Sequence, residues 1–450
     1  MQLLVKEREF YKKLTAFALP ICAQQLITMG VNMADNIMLG QLGEVQMSGA
    51  TLANNFISLF QIMCMGLGMG ATVMVSRFFG MKDRENMKRS VNIMLRLEVL
   101  TATLFCIATA LMPGPIMSLF SGEADVIAIG TGYLLISIPC YYLNGLSVTT
   151  SLVLRSVGKA NVPLYSSIAS FFLNIFCNWV FIFGHLGAPR MEANGAALGT
   201  LIARVVEFLI TVGYLLFRDE HIGLRPRDLT MSVRSLIPEY FRISIPVLVS
   251  DTLLGLGNTM TAVISGRIGS TFVSANAITT VTMMLATVIS QGLSQASCAI
   301  TGITLGEGET EKAQRQGVTM GFLGFLVGCF GCVLIQLLAD PIISLYKIEP
   351  DTRLLARELM RAVGFVVMFQ TTNSILTKGV LRGGGDTKFL MVMDVLFLWV
   401  ASLPLGALAG LYWHLPGFWI YIFLKIDQFI KAVICVYRLK SRKWIKVIRG

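Results

Sequence analysis

Pro20…Gly40-Gln41-Leu42-Gly43…Ser48 is written a second time, 226 residues on, as Pro246…Gly266-Arg267-Ile268-Gly269…Ser274. The same shift carries Gly66-Leu67 onto Gly292-Leu293, Gly80 onto Gly306, Arg89 onto Arg315 and Ser118-Leu119 onto Ser344-Leu345. One added residue brings Leu154-Arg155 and Gly158 onto Leu381-Arg382 and Gly385. A chain that repeats over half its length has two related lobes. In an apolar chain, the junction of such lobes is where a working cleft belongs.

The chain is strongly apolar: 54% of residues are hydrophobic and 14% charged, with a mean hydropathy of +0.69. Apolar runs of about 20 residues, enough to cross a bilayer, recur near 14–40, 48–79, 91–112, 126–150, 163–184 and 194–217. Six more follow near 243–266, 275–305, 315–338, 355–380, 389–412 and 417–437. The expectation is an all-α integral membrane protein of twelve transmembrane helices, in two six-helix repeats. An even number of spans per repeat makes the repeats parallel, related by an axis along the bilayer normal. The domains read as an N-lobe over 1–217, a cytoplasmic linker over 218–242 with Pro226 and Pro238, and a C-lobe over 243–450 with a basic tail.

The net charge of +11 is mostly a topology signal. Lys6, Arg8, Lys12 and Lys13 precede the first span, and Arg77, Lys82, Arg84, Lys88 and Arg89 follow the second. Arg438, Lys440, Arg442, Lys443, Lys446 and Arg449 fill the tail, whereas 41–47 and 113–125 hold no Lys or Arg. Positive charge marks the cytoplasmic side, so both termini face the cytoplasm of a multi-pass cell-membrane protein. Basic residues scattered over membrane-edge loops do not form a nucleic-acid interface. The tail, with Trp444 at headgroup level, either rests on anionic lipid or serves only to anchor the topology.

Several sequence features lead nowhere chemically. The first apolar stretch is too long for a signal peptide and contains Pro20 and Asp35. Nine cysteines are spread along the spans, and Cys329-Phe-Gly-Cys332 has no second pair, so it reads as helix core. No histidine spacing suggests a metal. Gly66, Gly68, Gly70 and the Arg382-Gly-Gly-Gly-Asp386 run lack the strand and Gly-Lys-Ser/Thr of a nucleotide loop. No cofactor is expected, nor the clustered nucleophile and base of an enzyme. Without an ATPase module, transport runs on an ion gradient. Gly317, Gly321, Gly324, Gly328 and Gly331 fall on one helical face as a packing groove.

A charged residue at the centre of a span costs about 2.5–3.5 kcal/mol. Asp35, Glu98, Glu207, Asp251, Asp394 and Asp427 fall within the spans. Glu207 can pair with Arg204 and Asp427 with Lys431 one turn away, and Glu98 lies close to Arg96. Asp35, Asp251 and Asp394 have no basic residue one turn away on their own helices, and are the functional candidates. Gln24, Gln25, Thr28, Asn32 and Asp35 form a polar stripe, and Asn174 with Asn178 supplies amides on the fifth span. A carboxylate among neutral oxygens can hold Na+, or, desolvated, load and release a proton; the structural alternative is an Asp that only ties helices together. In the repeat, Asn258 takes the place of Asn32, Thr261 that of Asp35, and Asp251 that of Gln25. Asp251 is thus a candidate second ion or substrate site, with Gln24, Thr28 and Asn258. Asp394 is either a substrate contact or a lobe-stabilising partner. Pro20 and Pro246 weaken the first and seventh helices locally and are candidate hinges.

The strings Ala18-Leu-Pro20-X3-Gln24-Gln25-Leu26, Asn32-Met-Ala-Asp35-X2-Met38-X-Gly40 and Asn194-Gly195-Ala-Ala-Leu-Gly-Thr200 resemble the multidrug and toxic compound extrusion (MATE) family. So does Leu381-Arg382-Gly-Gly-Gly385-Asp386 with Asp394, Trp399 and Pro404. The resemblance spans nearly the whole chain. It implies a V-shaped antiporter, expected as a monomer, that expels organic cations in exchange for Na+ or H+. It also implies that Asp35 is the coupling acid of the N-lobe and Pro20 the bend of its helix. Some branches pair this Asp with an acid on the fifth span, where this chain has only Asn174 and Asn178. The alternative is a lipid-linked glycan flippase of the wider superfamily, but such proteins carry many basic residues in the central cavity and this chain has few within its spans.

Overall fold

A computed structural model describes residues 4–344, 346 and 348–446; Leu345 of the repeat and Arg449 of the tail lie outside the described residues. All regular structure among the described residues is helical. The N-terminal half contains α1 (Arg8–Gly40), α2 (Glu44–Gly80), α3 (Arg84–Leu111), the short α4 (Pro113–Ser118), α5 (Ala124–Ile136), α6 (Ile138–Ser156), α7 (Asn161–Phe183) and α8 (Ala193–Arg218). The C-terminal half contains α9 (Ile237–Ile268), α10 (Ser270–Gly306), α11 (Thr310–Ser344), α12 (Pro350–Leu381), α13 (Thr387–Tyr412), α14 (Gly417–Leu424) and α15 (Ile426–Lys440).

Ten of these helices are long and apolar enough to cross a membrane. The count rises to eleven when α5 and α6, which meet at 57°, are taken together as one broken span. Pro139 opens α6 there, and its missing N–H and its ring break the continuous helix. The last expected span is divided at Lys425 into α14 and α15. It carries Lys425, Asp427 and Lys431, which lower its hydropathy.

The helices gather into two compact units that do not divide at the linker. Residues 4–22 pack with 245–446, and 23–244 form the other unit. The chain therefore leaves one unit for the other inside α1, between Cys22 and Ala23, and inside α9, between Ser244 and Ile245. The expected lobes 1–217 and 243–450 are corrected to that extent. The reason is local packing. Gly292 of α10 has no side chain where Cys22 sits: a Cβ there would lie 2.2 Å from Cys22 Sγ. In the other unit Tyr240 donates its hydroxyl to the Leu67 carbonyl at 2.6 Å, and a Cβ on Gly70 would fall 1.7 Å from Ser244 Oγ. Both α1 and α9 run as unbroken helices through Pro20 and Pro246.

The glycine face of α11 meets α12. A Cβ on Gly328 would lie 2.7 Å from Met368 Cα, one on Gly324 3.3 Å from Thr372 Cα, and one on Gly321 3.0 Å from Leu376. Small residues there bring the two backbones together. The tail also differs from expectation. Trp444 is fully buried rather than set among headgroups, and donates Nε1–H to Gln314 Oε1 at 2.9 Å. Its indole fills the space over Gly384, where a Cβ would come within 2.3 Å. Asp386 binds both Arg438, at 2.8 Å, and Lys446, at 3.5 Å.

Candidate functional site

In the unit formed by 23–244, Asp35 projects from α1 onto α7. Asn178 donates Nδ2–H to Asp35 Oδ1 at 2.5 Å and to Asn174 Oδ1 at 3.3 Å. Asn174 in turn donates to Thr200 Oγ1 at 3.3 Å. The i, i+4 spacing of the two amides puts them on one face of α7. That face is covered by α8, whose Gly199 leaves room for Asn178: a Cβ would lie 2.3 Å from Asn178 Oδ1. Asn178 Oδ1 is buried and has no hydrogen-bond partner among the described residues. Asp35 itself makes no ion pair within 4 Å among them. Arg204, one turn beyond Thr200, pairs with Glu207 and is near enough for its charge to act on Asp35. Tyr133 of α5 lies in the same electrostatic neighbourhood, its hydroxyl against Asn54 at 3.3 Å.

The arrangement is an acid held by one amide donor, with no ion pair of its own among the described residues and with the Arg204 charge acting from a distance. A carboxylate so placed has the chemistry to take up a small cation. Na+ is held by oxygen ligands, and a proton by the carboxylate alone.

The other stripe residues have different settings. Gln24 is buried, donates to Ser167 Oγ at 2.8 Å and accepts from Arg155. It belongs to the packing of α1 on α6 and α7 rather than to the Asp35 cluster. Thr28 returns its hydroxyl to the Gln24 carbonyl, and Thr28, Asn32 and Asn258 are exposed. The expected Arg204–Glu207 pair is present, but the neighbourhood of Asp35 expected from the sequence does not include Thr200, Tyr133 or Arg204. Thr200 and Arg204 share a face of α8 at i, i+4, a visible signal, whereas only folding brings Tyr133 near.

In the other unit both acids have basic partners from distant helices. Asp251 Oδ1 lies 3.4 Å from Arg382 Nη2. Asp394 accepts from Ser250 Oγ at 2.8 Å and from Lys431 Nζ at 3.2 Å. Lys431, only 2% exposed, also binds Asp427 at 2.8 Å. Asp427 accepts from Ser402 and Gln428 as well. A search confined to one turn of one helix finds the Asp427–Lys431 pair and misses the Arg382 and Lys431 contacts.

Glu98 is a further correction. Arg96 does not pair with it but donates to the carbonyls of Leu229 and Met231 in the linker. Glu98 is fully buried and, among the described residues, accepts only from Cys64 Sγ, at 3.0 Å. All nine cysteines are free thiols, and no group of His, Cys, Asp and Glu suited to a metal occurs among the described residues.

We expect Gly199→Ala to displace Asn178 from Asp35. Overpacking of this kind costs about 1–3 kcal/mol. A lower melting temperature of the purified protein, together with weakened efflux, is the expected result; unchanged values for both would show that α8 yields freely there.

Two repeats of long apolar helices, with an unpaired acid inside one six-helix unit, define a multi-pass membrane transporter. The sequence profile of the MatE family matches this chain twice, over residues 20–180 and 246–408. The chain belongs to the MatE family. The "Probable multidrug resistance protein NorM" of Thermotoga maritima is 26% identical over 445 residues, covering 97% of this chain and 94% of that protein. Among solved structures, the outward-facing conformation of a multidrug resistance MATE family transporter of the MOP superfamily superposes with a TM-score of 0.86 at 20% identity, over 99% of both chains. A MATE protein crystallised in the bent conformation gives 0.87 at 19% identity over 96% of both.

Proposed function

We propose that this protein is a secondary antiporter that exports organic cations, drugs or toxic metabolites in exchange for Na+ or H+ by alternating access, with both termini in the cytoplasm. The observation that carries the reading is Asp35. It is a half-buried carboxylate that accepts the Asn178 amide hydrogen and makes no ion pair among the described residues. An inorganic cation held there compensates the carboxylate, and losing it leaves that charge in a poorly solvated place. Two conformations that differ in how they hold that cation differ in its affinity, and this lets a gradient drive a cycle. Family membership and the likeness to named multidrug resistance proteins support the export direction and the substrate class. Pro20, in the same helix as Asp35, is the proposed bending point, because its missing N–H weakens α1 two turns before Thr28. Asp251 and Asp394 are proposed as secondary contacts for the cation substrate, each already shared with a basic side chain.

The test is transport of a fluorescent organic cation in vesicles of purified protein under separately imposed Na+ and H+ gradients. One gradient is expected to drive counter-movement of the dye and the other to be inert. Equal dye movement with no gradient would dispose of antiport.

A further inference from the structure

Glu98 has no part in the reading above, yet it is the more deeply enclosed acid. It lies on α3, facing α2 and α6. Around it are Cys64 and Phe60, both fully buried, and Gly145. Oε1 accepts the Cys64 thiol hydrogen at 3.0 Å, and Oε2 has no hydrogen-bond partner among the described residues. No Lys, Arg or His pairs with it there.

The titratable groups that face it are few. From α2 there is Cys64, and from the first turn of α9 Tyr240, whose own hydroxyl is committed to the Leu67 carbonyl. From α6 the contact is Gly145, which brings none. On α3 itself Arg96 is turned to the linker. Among the described residues nothing near Glu98 compensates a negative charge, and an uncompensated buried carboxylate is neutralised by taking up its proton.

The space around the carboxyl decides between a proton and a metal ion. A Cβ on Gly145 would stand 2.1 Å from Glu98 Oε1 and 2.8 Å from Phe60 Cζ. An alkali or alkaline-earth cation needs several oxygen ligands around it, and this site offers one carboxyl, one thiol and aromatic rings. A proton needs no extra volume.

We propose that Glu98 is a proton-binding site, loaded in this conformation, and that loss of its proton opens the seam between α2, α3 and α6. The step is a simple dissociation: the O–H bond at the carboxyl breaks and the proton passes to water. The resulting carboxylate has to be hydrated. Glu98 is fully buried, so hydrating the carboxylate requires the helices around it to part, and ionisation and opening occur together. Cys64 is uncovered in the same event. This site is separate from Asp35, and the inference does not rest on the coupling role of that residue.

The experiment uses the full chain in liposomes, retaining Cys64 and replacing the other eight cysteines with alanine. Labelling by N-ethylmaleimide is followed from neutral to alkaline pH, each point referred to the same sample unfolded in detergent, which cancels the ordinary rise in thiol reactivity. Labelling is expected to rise severalfold with Glu98 present and to stay flat in Glu98→Gln. Identical profiles overturn the proposal. Infrared spectroscopy provides a check that does not require altering Glu98. The carbonyl stretch of a protonated carboxyl is expected at neutral pH in Asp35→Asn, and is expected to shift to higher frequency in Cys64→Ala as the thiol hydrogen bond is lost. A missing band, or a band indifferent to Cys64, overturns it equally.

Discussion

Asp35→Asn is expected to abolish the drug resistance that the protein confers on an efflux-deficient host, while its amount in the membrane stays normal. The substitution is nearly isosteric, and the new side-chain oxygen still accepts the Asn178 Nδ2 hydrogen bond, which is 2.5 Å long in the parent. Packing of α1 on α7 is therefore retained. What disappears is the charge. An amide neither takes up a proton near neutral pH nor offers an anionic oxygen to Na+. With the exchange partner gone, growth in the presence of drug should fall to that of cells carrying an empty vector. Resistance equal to the parent at equal expression would remove Asp35 from the mechanism. Partial resistance with steep dependence on external pH or Na+ would show that a second acid shares the load, and Asp251 would be the next residue to neutralise.

Lys431→Met is expected to be the most destabilising single change in the C-terminal half. The ammonium is 2% exposed and lies between Asp394 at 3.2 Å and Asp427 at 2.8 Å. Methionine matches its length and apolar stem but leaves two carboxylates facing each other without a cation. Removing one partner of a buried ion pair costs roughly 3–5 kcal/mol, and here two acids lose the same partner. The measurement is recovery of monodisperse protein after detergent extraction, with thermal unfolding of whatever survives. Adding Asp394→Asn and Asp427→Asn to Lys431→Met should restore much of the loss, because Ser250, Ser402 and Gln428 can hydrogen-bond to amides as they do to carboxylates. If Lys431→Met unfolds at the parent's temperature, the network contributes nothing to stability.

The parts of this molecule that could be read from sequence are those set by one-dimensional spacing. Hydropathy gave the spans, and the recurrence of Pro20 at Pro246 gave the repeat. The glycine rhythm of 317–331 gave the contact face of α11, and the polar stripe of α1 gave Asp35. The rest depends on side chains from distant segments meeting in space. Asp251 and Asp394 looked unpartnered because Arg382 and Lys431 are 131 and 37 residues away. Glu98 looked explained because Arg96 is two residues away, yet on a helix such neighbours point to different sides. Trp444 looked amphipathic enough for the headgroups, but the side chain missing at Gly384 gives it a closer berth. The compact units escaped notice for a related reason. Nothing in the composition of α1 or α9 marks the point at which the chain changes company.

That crossing has a consequence for how the molecule is made. Residues 4–22 belong with α10 and the helices after it, which leave the ribosome more than two hundred residues later. The first helical turns of the nascent chain must therefore wait in the bilayer, with one side lacking its final neighbours, until translation is well past the midpoint. The unit of 23–244 is made in one piece, whereas its counterpart closes only when the late-made 245–446 reaches a segment supplied by the opposite end of the message.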